Sequence, residues 1–329
     1  MAWPDSGLNE VVKTVGATAR NHSTITAWEA DTDDNCTAGW GEGDYAAACS
    51  PVGDCYDDAD FSETVTLTGA TTEITHFRTL TAHAGNRHDG TDGDGVRLAG
   101  VIAFGNYEDY GVVEWLIQYD TTTTANIAIS YSHAGTSVMV RNCVIAASSG
   151  YLVSTSDGGL SRTIYLRNCM FLQTSAAYNA FYIDSTDTVY AQNCTLYAPS
   201  RAGFRYCACT NCISITGLSA FDNCTGSNNI SGDATDAGVD TINNVAAADI
   251  FTNTGSGTED LHLKSGTTDA AGAGSDLSAS FTDDIDDDTR SDWDIGADEY
   301  VAAGGGLAVA VVALLIQRQN KRKNSLIGR

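Results

Sequence analysis

The most acidic stretch of the chain, residues 283–298, contains three alternate aspartates that could chelate a hard cation: Asp284, Asp286 and Asp288. Carboxylate oxygens suit Ca²⁺, which takes about six to eight oxygen ligands in proteins. The stretch is not an EF-hand, because a loop beginning at the first aspartate would need glycine and glutamate where the chain has Thr289 and Ile295. The alternative is a solvated loop held by Arg290. The sequence therefore leaves two possibilities, a protein without a cofactor and a protein that binds calcium here.

Other side chains could do acid–base chemistry: Asp57, Asp58, Asp60, Asp184, Asp187 and His88. Paired carboxylates about 5–9 Å apart hydrolyse glycosidic bonds. However, neither acidic cluster recurs along the chain, and no G-x-S-x-G, phosphate-binding loop or H-E-x-x-H motif occurs. The sequence therefore favours a protein without catalytic activity over an enzyme.

A repeated dipeptide predicts the elements that must position these residues. Asn-Cys recurs in β-prone runs such as SVMVRNCVI and TIYLRNCMF, at intervals of 26, 25, 18 and 12 residues. The pairs are Asn142-Cys143, Asn168-Cys169, Asn193-Cys194, Asn211-Cys212 and Asn223-Cys224, with a degenerate Asn228-Asn229 afterwards. Because asparagine tolerates the left-handed conformation that a tight bend needs, each pair predicts a corner between two strands.

Apolar residues alternate along the strand that leads into each corner, as Val138 and Val140 do in the first repeat. Residues two apart share one face of a strand. After the asparagine the inward phase shifts by one, which marks the bend. Stacked repeats would place Asn on Asn and Cys on Cys at about 4.8 Å, with the amides bonded to one another in a ladder. The pattern predicts an all-β fold, a right-handed parallel β-helix in which each rung is covered by its neighbours.

The predicted β-helix begins after a short helix in STITAWEAD, with Ser23 as its N-cap and Trp28 as an apolar plug. The predicted organisation is an N-terminal cap region (1–59), parallel β-helix rungs (60–250), an acidic C-terminal cap (251–300) and an apolar-basic tail (301–329).

The repeat gives most cysteines a packing role. Cys207, Cys209 and Cys212 form C-x-C-x-x-C, which could bind a soft metal. They fall at inward positions, however, and free cysteine packs as a small hydrophobe, so we expect packing. A separate Gly/Asp-rich loop contains three further cysteines, Cys36, Cys49 and Cys55. Two of them could form a disulfide, which would leave one free thiol.

Outward positions of the stacked strands form an aromatic stripe beside a planar polar stripe. The residues concerned are Tyr165, Tyr190, Arg141 and Arg167. Aromatic rings and guanidinium groups suit sugar rings and their hydroxyls or carboxylates. Two alternatives remain: a face that packs on a sister chain, and ordinary exposed strand residues chosen by β-propensity.

The charge of the chain excludes some partners. It carries 42 acidic and 17 basic side chains, and five of the basic ones follow Ile316. A chain with this excess of negative charge repels the phosphates of nucleic acids. We therefore expect no nucleic-acid partner. The N-terminal MAWPDSGLNEVVKTVG lacks a basic stretch followed by an apolar one, so we expect no secretory signal there. The apolar run 301–316 is shorter than the roughly 20 residues of a spanning helix, which favours a docking peptide over a membrane anchor or a disordered tail.

The chain resembles the pectate-lyase-like, right-handed parallel β-helix repeat proteins, and among them a group encoded by tailed phages and environmental bacteria. The resemblance is carried by VVKTVGATARNHSTITAWEADT, GDCYDDADFSETVTLTG, GNRHDGTDG, LHLKSGTTDAAGAGSDLS and DDIDDDTRSDWDIGADEY. At Asp287 the chain departs from the usual glycine. The resemblance implies a virion surface or tail-associated protein, or a surface-attached protein that handles carbohydrate. It specifies activity poorly, because one fold hosts many functions.

The leading hypothesis is a non-catalytic structural protein at the virion or extracellular surface, of the phage surface, decoration or tail-fibre type. Its expected partners are sister chains in a homotrimer, or other virion proteins bound through the tail, and a host surface glycan. The alternatives are a polysaccharide lyase or glycoside hydrolase on the same fold, and a cell-surface β-helix anchored by its C-terminus.

Overall fold

The computed structural model describes residues 7–33, 36–38, 47–91, 93–105, 108–120, 125–129, 136–155, 160–174, 177–198, 201–235, 238, 240–267 and 269–300. The chain divides into two compact units, Met1–Glu299 and Tyr300–Arg329, and the predicted tail 301–329 lies outside the described residues. Within the described part, two α-helices occur, α1 (Ile25–Asp31) and α2 (Ala247–Ile250), with a 3-10 turn at Ala84–Asn86. None of the helices described is long and apolar enough to cross a membrane.

Strands make up most of the regular structure. They are β1 Glu10–Val15, β2 Ser50–Cys55, β3 Val65–Leu67, β4 Arg78–Ala82, β5 Arg97–Ala99, β6 Ile102–Phe104, β7 Tyr110–Glu114, β8 Ile117–Asp120, β9 Ala125–Ile129, β10 Ser137–Arg141, β11 Val144–Ala147, β12 Tyr151–Thr155, β13 Thr163–Arg167, β14 Met170–Gln173, β15 Phe181–Tyr182, β16 Thr188–Gln192, β17 Thr195–Ala198, β18 Phe204–Arg205, β19 Cys207–Thr210, β20 Ile213–Thr216, β21 Phe221–Asp222, β22 Thr225–Ser227, β23 Ile230–Ser231, β24 Phe251–Asn253 and β25 Asp260–Leu263.

From β2 to β23, successive strands enter different sheets, and strands one turn apart pair in parallel. The nine-stranded sheet has the order β1-β2-β4-β7-β10-β13-β16-β19-β22, and the seven-stranded sheet has the order β23-β20-β17-β14-β11-β8-β5. A five-stranded sheet, β15-β12-β9-β6-β3, forms the third side, and the β18–β21 pair is also parallel. Only the β24–β25 hairpin is antiparallel among the described strands. The prediction of a parallel β-helix is confirmed.

The core consists of columns of side chains stacked from rung to rung. Val138 pairs with Ile164, which pairs with Val189, and all three are buried. A column of phenylalanines runs beside them, with ring centroids 4.9 Å apart between Phe181 and Phe204. Each such ring buries about 150–250 Å². The inward positions of the repeat therefore supply the hydrophobic stabilisation of the fold.

The N-terminal helix α1 packs Trp28 into this core, as expected for an apolar plug. The N-cap, however, is Thr24 and not Ser23, since the Thr24 hydroxyl accepts a hydrogen bond of 3.0 Å from the backbone N–H of Ala27. The Glu63 carboxylate accepts the backbone N–H groups of Ile25 and Thr26 at 2.9 Å each. A carboxylate at that end satisfies donors that the helix leaves open, which fixes where α1 begins.

Candidate functional site

One corner of the β-helix is built from a column of asparagines in the left-handed conformation. The corner lies between the nine-stranded and seven-stranded sheets, and φ is between 47° and 55° at each position. We call this column the corner row: Asn142, Asn168, Asn193, Asn211 and Asn228. The short polar side chain of asparagine makes this backbone conformation affordable where most residues would be strained.

The fifth Asn-Cys pair does not belong to the corner row. Ala208 pairs with Thr225, so Asn223 lies above Tyr206 at a different corner, and both have positive φ. The row continues instead at Asn228. The next residue, Asn229, takes the place of a cysteine and accepts the backbone N–H of Cys212 at 2.8 Å. The short interval of 12 residues between Asn211 and Asn223 therefore arises because Asn223 belongs to a different corner of the rung.

The cysteines after the corner row are buried in a column. Each thiol donates to the carbonyl two residues before it, at 3.2 Å from Cys143 to Arg141 and at 3.2 Å from Cys169 to Arg167. The cysteines of the N-terminal region, Cys36, Cys49 and Cys55, are buried thiols as well.

The amides of the corner row bind the C-terminal part of the chain. Asn168 Nδ2 donates to the Asp283 carbonyl at 2.7 Å, and Asn193 Nδ2 donates to the Asp294 carbonyl at 2.9 Å. Among the described residues a single bond joins two amides of the row, 3.1 Å from Asn211 Nδ2 to Asn193 Oδ1. The predicted self-bonded amide ladder is therefore wrong for most of the row. Residues 273–299, here called the flanking segment, lie along the row and use its hydrogen-bonding capacity.

A polar cleft of about 300 Å³ lies between the flanking segment and the nine-stranded sheet. One wall is formed by residues 278–283. The residues of the β-helix that line the cleft are Arg87, Glu114, Trp115, Arg141 and Asn142. We call this the polar cleft.

The two guanidinium groups of the polar cleft are held in place by their neighbours. Arg141 Nε donates to a Glu114 carboxylate oxygen. Arg87 donates to Asp287 at 2.8 Å, and its guanidinium lies 4.4 Å from the centre of the Trp115 ring. A planar guanidinium stacked on indole keeps its orientation with little loss of freedom on binding. The cleft is thus built from donors whose positions are already fixed.

Two features of the polar cleft are unusual. Trp115 occupies the corner position one rung before Asn142, with φ of 60°, a conformation that is strained for a bulky residue. Among the described residues that line the cleft, Asn142 has a buried Oδ1 with no hydrogen-bond partner. A buried carbonyl oxygen left open costs about 1–3 kcal/mol. Strain and unused hydrogen-bonding capacity coincide at one place.

Sequence reasoning missed Arg87, Glu114 and Trp115. A signal was present, because YGVVEW aligns with SVMVRN in the repeat and puts Trp115 where the other rungs have asparagine. Arg87, in contrast, comes from a loop whose position no repeat specifies.

Only some residues of the predicted tyrosine and arginine stripes are accessible to solvent. Tyr165 and Tyr190 stack with ring centroids 5.3 Å apart, and Tyr190 is exposed. Arg141 reaches the polar cleft. Arg167 is buried, because its Nη1 donates to the Ser280 carbonyl at 3.4 Å and Phe281 of the flanking segment covers it. A ligand at this face would therefore meet Arg141 and the tyrosines, and not Arg167.

The three predicted calcium ligands are not brought together as one set. The Asp284 carboxylate is buried and accepts the backbone N–H groups of Asp286 at 2.9 Å and Asp288 at 3.0 Å, so it organises the turn. Burial, together with repulsion from Asp286, raises the pKa of Asp284 to about 7, against the attraction of Arg290.

Of the three, Asp286 instead joins His262 and Asp298, whose ligand atoms lie within 4.8 Å of one another. His262 is bonded on both ring nitrogens, to Asp260 at 2.5 Å and to Asp286 at 3.0 Å. Burial alone would lower the pKa of His262, but the hydrogen bond and charge of Asp286 and the charge of Asp298 raise it to about 10. The group is therefore an ion-pair cluster that holds the β25 hairpin against the flanking segment.

The acid–base candidates do structural work. Asp58 accepts the backbone N–H of Ala17 at 2.7 Å, and Asp184 accepts the N–H of Thr186 at 2.9 Å in a tight turn. Asp187 is buried with Arg162, at 2.8 Å. Asp60 accepts the Tyr119 hydroxyl at 2.9 Å, and burial raises the pKa of Asp57, as do the charges of Asp60 and Asp94. The structure does not bring these residues into the polar cleft.

His88 is a buried link between the corner row and the loop that carries Arg87. Its Nε2 lies 2.9 Å from the Asn142 carbonyl, and its Nδ1 accepts the backbone N–H of Gly90 at 3.2 Å. This pattern requires the neutral ring with its proton on Nε2. Burial lowers the pKa of His88 to about 4, opposed by the bond to Asn142 and by the nearby Asp286 and Asp89 charges.

We expect this buried ring to make stability depend on pH. Between about 6.5 and about 4 the unfolded chain binds a proton at His88 that the folded protein does not, so the free energy of unfolding falls as the pH falls through this window. The loss attributable to His88 reaches about 3 kcal/mol at the acidic end. Urea unfolding of the wild type and of His88→Gln across this window should show a steeper acid loss in the wild type.

His83→Gln is the matched control, because His83 is more exposed and pairs with Asp54 at 2.8 Å. It should keep the steep acid loss of the wild type. Identical pH dependence in the wild type and His88→Gln would refute this role for His88.

A second cleft of about 330 Å³ lies on the other side of the corner row, between the seven-stranded sheet and the loop that joins β24 to β25. Its floor is apolar and includes Val144, Met170 and Leu172. It lacks the fixed donors of the polar cleft.

Comparison with protein-family models, with curated proteins and with solved structures finds no match for this chain. The fold and the site therefore define its class. It is a parallel β-helix protein with a preorganised polar cleft beside its corner row.

Proposed function

We propose that this protein is a non-catalytic β-helix of the virion surface or tail-fibre type, and that its polar cleft binds a sugar unit of a neutral glycan. The observation that supports the proposal is the cleft itself, in which two oriented guanidinium groups, two carboxylates and an amide line a space of about 300 Å³. Small-molecule sites are concave and carry a few convergent polar groups that fix orientation.

The chemistry of the lining matches the hydroxyls of a sugar. Arg87 and Arg141 donate hydrogen bonds, while the Glu114 and Asp283 carboxylates accept them. The Asn142 amide donates from Nδ2 to Asp283 and so holds one of these carboxylates in place. Phe281 adds an apolar surface for the C–H face of a ring.

The charge of the protein favours a neutral ligand. Each guanidinium of the polar cleft is already paired with a carboxylate, Arg141 with Glu114 and Arg87 with Asp287. The whole chain has a formal net charge of −25. Such a field lowers the local concentration of anionic glycans and slows their association. Uronate polymers are therefore poor candidates.

The surface role is inferred from the resemblance to phage and environmental β-helix proteins together with the rigidity of stacked parallel rungs. The proposed partners are sister chains in a homotrimer, or other virion proteins bound through residues 301–329. The exposed Tyr190 ring stacked on Tyr165 offers a further surface for a sister chain or for the glycan.

We expect neutral oligosaccharides to bind and Arg141→Gln to weaken their binding at least about tenfold, because the variant removes a charged donor worth about 1.5–3 kcal/mol. The probes are neutral gluco- and galacto-oligosaccharides on an array, with oligogalacturonate of equal length beside them. The tightest neutral probe is then titrated by calorimetry into the full-length wild type and into the variant.

Arg205→Gln is the matched control, because Arg205 is also paired with a carboxylate, that of Asp222 at 3.1 Å, but does not line the polar cleft. It should bind as the wild type does. Preference for the anionic probe would refute the neutral ligand. Equal affinity of the two arginine variants would remove the polar cleft as the binding site.

One observation favours the alternative of a polysaccharide lyase or hydrolase. Glu114 and Asp283 line the same cleft, and glycoside hydrolysis uses two carboxylates. Incubation of the protein with polymeric glycans tests this alternative. Release of new reducing ends or unsaturated products, lost in Glu114→Gln, would replace the binding role by catalysis.

A further inference from the structure

Three thiols meet inside the last turns of the β-helix: Cys207, Cys209 and Cys224. Phe204 pairs with Phe221 and Ala208 with Thr225, so Cys207 and Cys224 occupy the same position on adjacent rungs. Cys209 follows two residues after Cys207 on the same inward face of β19. The three sulfur atoms lie within 4.8 Å of one another.

We propose that Cys207, Cys209 and Cys224 form a binding site for a single soft divalent cation of the Zn²⁺ and Cd²⁺ class. Thiolate sulfur is the ligand that such cations select over carboxylate or carbonyl oxygen. Binding forms three metal–sulfur bonds and releases the three S–H protons to solvent, with no change of oxidation state.

The geometry suits this chemistry. A zinc–sulfur bond is about 2.3 Å long, which places three sulfurs around one ion about 4 Å apart. The observed separations, all within 4.8 Å, require the thiols to close by less than about 1 Å. Side-chain rotation at a chain position near the last rung can supply such a movement.

The burial of the three residues differs in a way that favours binding. Cys207 and Cys209 are buried, whereas Cys224 is partly exposed. The exposed side gives an ion a path of entry and leaves room for a water as fourth ligand. Three thiolates and a divalent cation leave one net negative charge, whereas a monovalent cation would leave two, and charge in an apolar interior is costly. The divalent class is therefore preferred.

The thiols also interact with one another before any ion binds. Hydrogen bonds from Cys207 and Cys209 lower the pKa of Cys224, whereas burial raises the pKa of Cys207 and of Cys209, so an ion must displace the protons of those two thiols. A thiolate is the form that a metal ion binds. Cys212, which the C-x-C-x-x-C motif would include, donates instead to the Ala191 carbonyl at 3.3 Å and is not part of the cluster.

The test is equilibrium dialysis of the reduced, full-length protein against Cd²⁺, with the bound metal measured and the thiolate-to-metal absorbance recorded. We expect the wild type to bind one equivalent. Cys224→Ser should bind more than about 100-fold more weakly, since changes that only touch a ligand's surroundings already cost about 10–100-fold. Cd²⁺ should also raise the melting temperature of the wild type and not that of Cys224→Ser.

Cys143→Ser is the matched control. Cys143 and Cys224 both donate to the carbonyl two residues earlier, to Arg141 at 3.2 Å and to Asp222 at 3.6 Å, and a serine hydroxyl can replace either donor. Cys143→Ser should bind Cd²⁺ as the wild type does, and circular dichroism shows that each variant is folded. Absence of binding in the reduced wild type, or equal binding by Cys224→Ser, would overturn the proposal. So would a disulfide from Cys224 in the native protein.

Discussion

Replacement of Arg78 by alanine is expected to lower the free energy of unfolding by about 3–5 kcal/mol, because it leaves a buried carboxylate without its cation. Arg78 is 0% exposed and donates from Nε and Nη2 to both oxygens of Glu108, and from Nη1 to Glu29 at 3.3 Å. Burial raises the pKa of Glu108 even with Arg78 present to oppose it. Urea unfolding at neutral pH, followed by circular dichroism, measures the loss.

A surface arginine gives the comparison for this prediction. Arg20 is partly exposed, pairs with Asp58 at 3.3 Å and lies over the Tyr56 ring, and Arg20→Ala should cost about 1–2 kcal/mol. A second comparison replaces the buried pair as a unit, Arg78→Met with Glu108→Leu, which should recover most of the loss because no uncompensated charge remains. Equal losses for Arg78→Ala and Arg20→Ala would show that Arg78 does not neutralise a buried site.

The β-helix could be predicted because its determinants are local. The alternation of Val138 and Val140, the following asparagine and the buried cysteine all fall within a few residues of one another. Strand, bend and inward phase can therefore be inferred from one repeat, and the stacking of repeats follows because a single rung cannot bury its own apolar face. The column to which Asn223 belongs could not be inferred, because a dipeptide does not specify which corner of a rung it makes.

The polar cleft could not be predicted from the sequence, because its two walls are far apart in the chain. Asn142 and Asp283 meet through a hydrogen bond of 2.6 Å across 141 positions. Arg167, expected at the surface, is covered by Ser280 and Phe281 of the same distant segment. Such pairings depend on where the flanking segment crosses the rungs, and the local pattern of residues 273–299 contains no repeat that fixes this. The cysteine cluster was missed for a similar reason, since its third member comes from the next rung.

Removal of Arg290 is expected to detach the flanking segment and with it one wall of the polar cleft. The buried guanidinium of Arg290 donates to the Asn168 Oδ1 at 3.1 Å, to the Asp283 carbonyl at 3.1 Å and to the Ala297 carbonyl at 2.6 Å. Arg290→Ala leaves these acceptors open and removes the cation nearest Asp284, a loss of about 3 kcal/mol or more. Hydrogen exchange should show about 100-fold less protection of the amides in 273–299, with the rungs unchanged.

Loss of the flanking segment also has a consequence for binding. Residues 278–283 form one wall of the polar cleft, so Arg290→Ala should lose affinity for the neutral oligosaccharide although Arg290 itself does not line the cleft. Arg205→Gln, at a partly exposed arginine on β18, should keep both the protection and the affinity. If Arg290→Ala kept full protection across 273–299, the segment would be held by its buried apolar residues, Ile285 and Ile295 among them, and not by the corner row. The two variants thus show whether the flanking segment is held by the hydrogen bonds of Arg290 and the corner row or by its buried apolar residues.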